Sequence, residues 1–257
     1  MAFSHQKVFF GSLFAAAAHA LKTMGAIERF LGGETGMTGV LHTHNRRLDF
    51  HPHVHFVVPA GRIDRKNRFW KRTRDGEFLF PQKALARVFR ARLVVLLRKE
   101  GLVMPEVFRK GDWVVDCKNV GTREPALKYL SRYLYRGVIS EKRIIRCENG
   151  RVTFVYRESR TGKLLERTLP GEDSLWLVLQ HVLPRGFRRV RDYGFLHGNP
   201  RKLLRLIQFL LGAKAAPLRE ARRPAFICQG CGAEMVVMPG GPVSRRRSRS
   251  PPEIRAV

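Results

Sequence analysis

Histidines are concentrated in one short part of the chain. Five of the nine lie within residues 42–55, in the sequences His42-Thr43-His44 and His51-Pro52-His53-Val54-His55. Alternate side chains of a β-strand share a face, so His53 and His55 would point the same way, about 7 Å apart. Neutral imidazoles that converge from neighbouring strands are suitable ligands for a divalent cation. The cluster predicts a metal site; the alternative is that single histidines only make hydrogen bonds on a sheet.

A third ligand is expected, because two imidazoles rarely fix a divalent cation on their own. The candidates in the same stretch are His42, His44, Asp49 and His51. His42 and His44 would share a face of the neighbouring strand, at the roughly 4.8 Å spacing of paired strands. Asp49 falls in the intervening loop, and His51 precedes a proline at the strand entrance. The residues alone leave the choice open.

Two tyrosines lie four residues apart in the sequence Tyr129-Leu130-Ser131-Arg132-Tyr133. On a helix, Tyr129 and Tyr133 are about 40° apart around the axis, whereas Tyr135 is turned about 200° from Tyr133. Apolar residues would lie on one side of the pair and basic residues on the other: Leu127, Leu130 and Leu134 against Lys128, Arg132 and Arg136. The hydroxyls would then border an electropositive groove suited to a phosphodiester. The alternative is a pair of half-buried aromatics on an amphipathic helix.

The histidines and the tyrosines complement each other chemically. A tyrosine hydroxyl, with a pKa of about 10, is a weak nucleophile at neutral pH. A cation on the histidines, expected to be Mg²⁺ or Mn²⁺, would polarise the phosphate under attack. The product would be a phosphotyrosine, which conserves the bond energy that a strand-transfer enzyme needs for rejoining.

The elements that position these side chains follow from the hydrophobic pattern. Residues 6–31 predict one or two helices closed by Gly32-Gly33, and residues 38–44 and 52–58 predict neighbouring strands joined by a polar loop. Residues 61–77 predict a loop or ragged hairpin. Further helices are predicted from Pro81 and over 124–136, 172–182 and 200–211, and further strands over 113–117, 144–146 and 152–156 in a meander. Helices around an antiparallel sheet define an α+β fold.

The composition restricts the class of protein. The formal charge is +28, from 49 Lys and Arg against 21 Asp and Glu, which excludes an ordinary metabolic enzyme and favours a nucleic-acid partner. With 44% hydrophobic residues, most of the chain can form a core. Four cysteines are too few for a disulfide framework and indicate a reducing compartment. The apolar N-terminal stretch is interpreted as a core helix and not as a signal peptide, and no membrane span is predicted.

The composition changes near residue 213, which predicts a folded region over 1–212 and a tail over 213–257. The tail combines Cys228-Gln229-Gly230-Cys231 with a run rich in arginine and serine, and it is expected to be disordered. Cys228 and Cys231 have zinc-knuckle spacing, but a structural zinc site takes four ligands. They are either half of a zinc site completed elsewhere or an inert remnant.

The ordered motifs resemble a known family. They are Val40-Leu41-His42-Thr43, Phe50-His51-Pro52-His53-Val54-His55, Phe80-Pro81-Gln82-Lys83-Ala84-Leu85, Tyr129-Leu130-Ser131-Arg132-Tyr133 and His181-Val182-Leu183-Pro184-Arg185-Gly186-Phe187. Over residues 5–212 the chain resembles the two-tyrosine rolling-circle transposases of bacterial insertion sequences, which are Helitron-related members of the HUH endonuclease superfamily. The resemblance implies an HUH-like fold, metal ligands at His53 and His55 with His42 as first choice for the third, and nucleophiles at Tyr129 and Tyr133.

The resemblance also implies a function and its partners. The enzyme would cleave single-stranded DNA at element ends and targets through 5′-phosphotyrosine intermediates, in the bacterial cytoplasm at the nucleoid. No nucleoside-triphosphate-binding loop is present, so host replication and unwinding proteins would separate the strands. Family members usually begin with a cysteine-rich zinc-binding segment, and this chain is expected to be a short member without it. The alternatives are a plasmid replication initiator, a relaxase, or a decayed transposase that only binds nucleic acid.

Overall fold

A computed structural model describes residues 5–64, 66–73, 79–106, 111, 113–121, 125, 128, 131, 137–213, 226–228 and 230–235. Its contacts divide the chain into two units, Met1–Ala213 and Lys214–Val257. Helices and antiparallel strands alternate irregularly along the first unit, which confirms the predicted α+β class.

The helices whose bounds the described residues give in the first unit are α1 (Gln6–Ala26), α2 (Gln82–Lys99), α3 (Gly171–Leu179) and α4 (Arg201–Leu210). Its strands are β1 (Met37–His44), β2 (Phe50–Val57), β3 (Gly61–Asp64), β4 (Phe69–Arg72), β5 (Ile144–Glu148), β6 (Arg151–Arg157), β7 (Leu164–Pro170) and β8 (Val190–Tyr193). Within the described part of the unit they form three antiparallel sheets, ordered β2-β1-β8, β3-β4 and β5-β6-β7.

The β2-β1-β8 sheet separates its side chains cleanly onto two faces. Leu41 of β1 lies opposite Val54 of β2, and both belong to the helix-covered core. The neighbouring pair His42 and His53 therefore lies on the other face, as alternation along a strand requires. The sheet thus has a helical side and a histidine side.

The core lies between α1, α2 and the helical side of the sheet. Phe10 and Phe14 of α1, Leu41 of β1, and Leu93 and Leu97 of α2 are completely buried. Each side chain of this size contributes about 1.5–3 kcal/mol when buried. Among the described helices only α1 is long and apolar enough to cross a membrane, and 61% of its most apolar stretch is buried here. This packing agrees with the interpretation of α1 as a core helix.

The β5-β6-β7 meander confirms the strands predicted over 144–146 and 152–156. Asn149 and Gly150 join β5 to β6 with φ angles of 51° and 69°, the left-handed conformations that a tight hairpin turn requires. The second connection passes through Gly162, whose φ is 73°.

The strand predicted over 113–117 is wrong. Trp113 packs against Phe89 of α2 with ring centroids 5.3 Å apart, whereas Val114 is 94% exposed. The apolar run Trp113-Val114-Val115 is typical of a strand, but Trp113 packs on a helix and the described residues provide no strand beside this segment.

Strand β8 was not predicted. Its four residues are Val-Arg-Asp-Tyr, and it lies at the edge of the sheet. Because two of the four residues are charged, the segment lacks the apolar pattern by which a central strand is predicted. The segment over 61–77 contains the β3-β4 hairpin. Helix α1 ends at Ala26, five residues before the predicted end.

The predicted helix over 124–136 is described at three residues only. Pro125, Lys128 and Ser131 are each helical, and the Ser131 hydroxyl donates to the Lys128 carbonyl at 3.0 Å. The rest of this segment lies outside the described residues.

In the second unit, β9 (Phe226–Ile227) pairs antiparallel with β10 (Glu234–Met235). This hairpin lies within the tail that was expected to be disordered. Residues 236–257 lie outside the described part, so the expectation stays a prediction for them.

Candidate metal centre

Three histidines converge on the histidine side of the sheet. His42 of β1 lies directly opposite His53 of β2, and His55 follows two residues later on the same strand. The ring centroids are 5.5 Å apart for His42 and His53 and 4.9 Å apart for each of the other two pairs. One ring nitrogen from each lies within 4.8 Å of those of the other two. An imidazole nitrogen binds a cation at roughly 2.1 Å. Three nitrogens this close to one another can each reach that distance from one shared cation through small side-chain rotations.

The protonation of His53 suits this role. Its Nδ1 lies 2.7 Å from the backbone oxygen of His51, and a carbonyl can only accept, so Nδ1 is the donor. In the neutral ring Nε2 then carries the lone pair. A hydrogen bond of this kind fixes the tautomer and orientation of a metal-binding imidazole.

Burial separates the three rings by depth. His42 is 4% exposed, whereas His53 and His55 are half-buried. The Nε2 atom of His55 is fully buried. Three imidazoles, two of them only half-buried, form a donor set that fits a divalent cation.

The other candidates for the third ligand lie outside this group. The β1-β2 register shifts after His42 through a bulge, which places His44 opposite Phe50. His51 is exposed, and its ring centroid lies 5.2 Å from that of His53, but its nitrogens are not part of the close group of three. His44 stacks parallel to His42 at 6.1 Å and lies 5.1 Å from the ring of His181. Asp49 is bound elsewhere. The structure therefore groups His42 with His53 and His55, the set that the resemblance implied.

The loop between β1 and β2 is held by its own side chains. The Asn45 side-chain oxygen accepts from the backbone N–H groups of Arg47 (2.8 Å) and Asp49 (3.0 Å), and the Asn45 amide donates to the Asp49 carboxylate at 3.0 Å. Leu48 is buried with a φ of 69°. The left-handed conformation of this residue costs about 1 kcal/mol or more, so the surrounding contacts must maintain it.

Two residues distant in sequence clamp this loop. The Arg167 guanidinium on β7 donates to the Arg47 carbonyl at 2.6 Å and to the Asp49 carboxylate at 2.8 Å. His181, at the end of the α3 segment, lies 2.9 Å from the Leu48 carbonyl through Nε2, which must be the donor. The clamp connects the histidine hairpin to the meander. Arg167 was not identified from the sequence, because a single arginine on an exposed strand gives no local signal.

Two groups at this clamp have shifted pKa values. Burial alone would raise the pKa of Asp49, but the hydrogen bonds from Asn45 and Arg167, together with the positive charges of Arg167 and Arg47, outweigh it, and the pKa lies below its ordinary value. Burial lowers the pKa of His181, against the opposing effect of its bond to Leu48. The His181 ring is therefore neutral near pH 7, and its buried Nδ1 has no hydrogen-bond partner within the described part of the chain.

The predicted nucleophiles and most of the basic residues predicted to contact DNA lie outside the described residues. These are Tyr129, Tyr133, Arg132 and Arg136. Lys128 is described and exposed. Their roles stay predictions.

Cys228 and Cys231 lie at the turn of the β9-β10 hairpin. Gly232 N–H donates to the Cys228 carbonyl at 2.9 Å, and Cys228 N–H donates to the Ala233 carbonyl at 2.9 Å. Hydrogen bonds from the backbone of Cys231 and Gly230 lower the pKa of the Cys228 thiol. Such a turn suits a zinc-bound thiolate, but zinc binding here stays a prediction.

Comparison with known proteins gives one family. Residues 36–203, more than half of the chain, match the family model Y2_Tnp, described as "Putative transposase". The chain is 34% identical over 248 residues to "Putative transposase y4qJ" of Sinorhizobium fredii, a match that covers 87% of this chain and 62% of that protein. It is 32% identical over 190 residues to "Transposase for insertion sequence element IS801" of Pseudomonas savastanoi pv. phaseolicola, covering 64% of this chain and 44% of that protein. The chain thus spans less than two thirds of the length of these curated relatives. No solved structure matches it.

Proposed function

Since the chain belongs to the Y2_Tnp transposase family, we propose that it is a metal-dependent transposase that cleaves and rejoins single-stranded DNA through phosphotyrosine intermediates. The observation that carries the proposal is the group formed by His42, His53 and His55 across two strands. A group of this kind is a suitable centre for phosphoryl transfer.

His42, His53 and His55 would hold a divalent cation, Mg²⁺ or Mn²⁺. When bound, the cation supplies Lewis-acid polarisation of the scissile phosphate and stabilises charge on the leaving oxygen. The chain's own contribution is to fix the three rings. The register of β1 and β2 sets their spacing, the His51 carbonyl orients His53, and the Arg167 and His181 contacts hold the hairpin loop.

Tyr129 and Tyr133 would supply the nucleophiles. The phenolic oxygen forms a bond to phosphorus while the bond from phosphorus to the 3′ oxygen of the preceding nucleotide breaks. The phenolic proton leaves to solvent and the 3′ oxygen takes up a proton, which yields a 5′-phosphotyrosine and a free 3′-hydroxyl. That hydroxyl can prime replication, and the second tyrosine would serve the other strand.

The substrate would be single-stranded DNA at element ends and at the target. Lys128, Arg132 and Arg136 would contact its phosphates, and the charge of +28 supports this assignment. Host replication and unwinding proteins would provide the single strand. The site of action would be the bacterial cytoplasm at the nucleoid.

The proposal is tested with the full chain and a radiolabelled single-stranded oligonucleotide that carries an element end. In the presence of Mn²⁺ a labelled species that survives boiling in detergent should migrate with the protein, and EDTA should abolish it. The His53→Ala variant should form no such species, whereas the exposed His51→Ala variant should. A protein that binds DNA but forms no covalent species under any metal would be a non-catalytic DNA-binding protein, and the proposal would be wrong.

A further inference from the structure

A basic groove lies beside the segment that follows His181. It is open to solvent, has a volume of about 320 Å³, and is lined by Lys7, Gly186, Phe187, Arg188 and Arg191. Three of these five residues are cationic and none is acidic. The nearby acid, Asp192, accepts a hydrogen bond from the Thr38 hydroxyl at 2.6 Å and belongs to the other face of the sheet. Among the described residues, the groove therefore offers positive charge without a carboxylate of its own.

A tight turn builds the groove. The Phe187 N–H donates to the Pro184 carbonyl at 2.9 Å, and Gly186 has a φ of 75°, which a side chain would disfavour. The turn directs the Phe187 ring into the core, where its centroid lies 5.7 Å from that of Phe10 and 6.5 Å from that of Phe14. The turn is thus anchored on α1, next to Lys7.

Arg191 is held in a fixed orientation within this groove. Its guanidinium lies 4.6 Å from the centroid of the Phe14 ring and 4.9 Å from that of Phe187. Arg191 also contacts the Tyr193 hydroxyl: burial raises the pKa of Tyr193, and the charge of Arg191 and its hydrogen bond partly offset that rise. Because the planar group is already ordered, binding costs little side-chain entropy, and its fork of donors matches a phosphate.

Arg189 links the strand that carries the groove to the strand that carries His42. The Leu41 N–H donates to the Arg189 carbonyl at 2.9 Å, and the Arg189 side chain donates to the Leu41 carbonyl at 3.1 Å. Leu41 directly precedes His42. Paired strands are about 4.8 Å apart and residues about 3.3 Å apart along each, so the groove backbone lies close to the deepest metal ligand.

The two sites open on different sides of the sheet. Arg191 pairs with Gly39 on the helical side, whereas His42 lies on the histidine side. Strand β8 is the edge strand between them. A single nucleic-acid strand that occupies both sites would pass around this edge, which a flexible single strand can do and a duplex cannot do without bending.

We propose that this groove binds backbone phosphates of the same single DNA strand that reaches the metal centre, a few nucleotides from the cleaved bond. The proposal rests on the proposed function for the identity of its ligand. Lys7 and Arg188 would contribute mobile cations and Arg191 the ordered one. The groove would hold the strand in register and would not take part in the chemistry.

The test measures fluorescence anisotropy of a short labelled single-stranded oligonucleotide in EDTA, over a series of salt concentrations. The variant carries Lys7→Gln and Arg188→Gln, both exposed positions. Arg185→Gln is the matched control, since Arg185 is exposed, lies in the same turn and does not line the groove. The plot of log affinity against log salt has a negative slope. Its magnitude should decrease by about 0.7 for each lost contact in the double variant and stay unchanged in the control.

A second variant, Arg191→Lys, keeps the charge but removes the planar fork, and it should also weaken binding. An oligonucleotide with a photoreactive thymine should cross-link to the peptide that contains Phe187. Equal salt slopes in the double variant and the Arg185→Gln control, together with no cross-link at this peptide, would overturn the groove assignment. Covalent adduct formation is measured separately. If the wild-type protein forms no adduct, the proposed chemistry is refuted, but the groove assignment still depends only on the salt slopes and the cross-link.

Discussion

His42 and His53 lie directly opposite each other across β1 and β2, and their ring centroids are 5.5 Å apart. The spacing of the metal centre is therefore a property of strand register. A slip of one residue would turn either histidine to the helical side of the sheet. The clamp on the intervening loop protects this register.

Replacement of His42 should impair metal binding as severely as replacement of His53. His42→Ala removes the buried member of the group, and two remaining imidazoles hold a divalent cation poorly. Calorimetric titration with Mn²⁺ measures the effect, with His51→Ala as a control that should bind normally. Near-wild-type affinity in His42→Ala, with a collapse in His44→Ala, would assign the third ligand to His44.

Removing one tyrosine hydroxyl at a time should show which tyrosines react and which do not. Tyr129→Phe or Tyr133→Phe should reduce the covalent adduct, whereas Tyr135→Phe should not, because helical geometry turns Tyr135 away from the pair. Folding and DNA affinity should remain close to wild type. An adduct lost only in Tyr135→Phe would show that the assumed helical face is incorrect.

Loss of the Arg167 clamp should destabilise the protein and loosen the metal centre together. Arg167→Ala removes two hydrogen bonds to the hairpin loop, and the partly buried geometry predicts a loss of about 1–2 kcal/mol in the free energy of unfolding. Urea unfolding and Mn²⁺ titration measure the two effects. Arg146→Ala, which breaks an exposed pair with Glu166 on the same meander, should cost about 0.5 kcal/mol or less. Equal losses in the two variants would refute a special role for the clamp.

His181 should make stability depend on pH. Its folded-state pKa is lowered by burial from an ordinary value of 6.5, so the unfolded chain binds more protons and stability falls as the pH drops below that value. The groups that face the ring are His44, Phe50 and the Leu48 carbonyl. His181→Gln should retain a donor to Leu48 while losing less stability than wild type between about pH 7 and pH 5. Parallel pH profiles of the unfolding midpoint in the two proteins would contradict this.

The hairpin that carries the histidines was predictable, because alternation and a polar loop are local signals. The sequence pattern could not predict Arg167 or the β8 strand, since both act through contacts more than a hundred residues away. The prediction of a strand over 113–117 is wrong because a short apolar run does not reveal whether its partner is a strand or a helix. The choice of His42 among four candidates required the family resemblance, because the His51 ring also lies near His53, with centroids 5.2 Å apart.

The pairing of β1 with β8 has a consequence for how the molecule assembles. Thr38 and Asp192 are 154 residues apart in sequence, whereas β1 and β2 are joined by a short loop. Local contacts form before distant ones, because closing a long loop costs more entropy and slows folding. The histidine hairpin can therefore form early on a growing chain, and the edge strand joins it only after most of the first unit has been synthesised. A chain at that earlier stage would contain all three histidines but would still lack the Arg167 and His181 contacts and the groove.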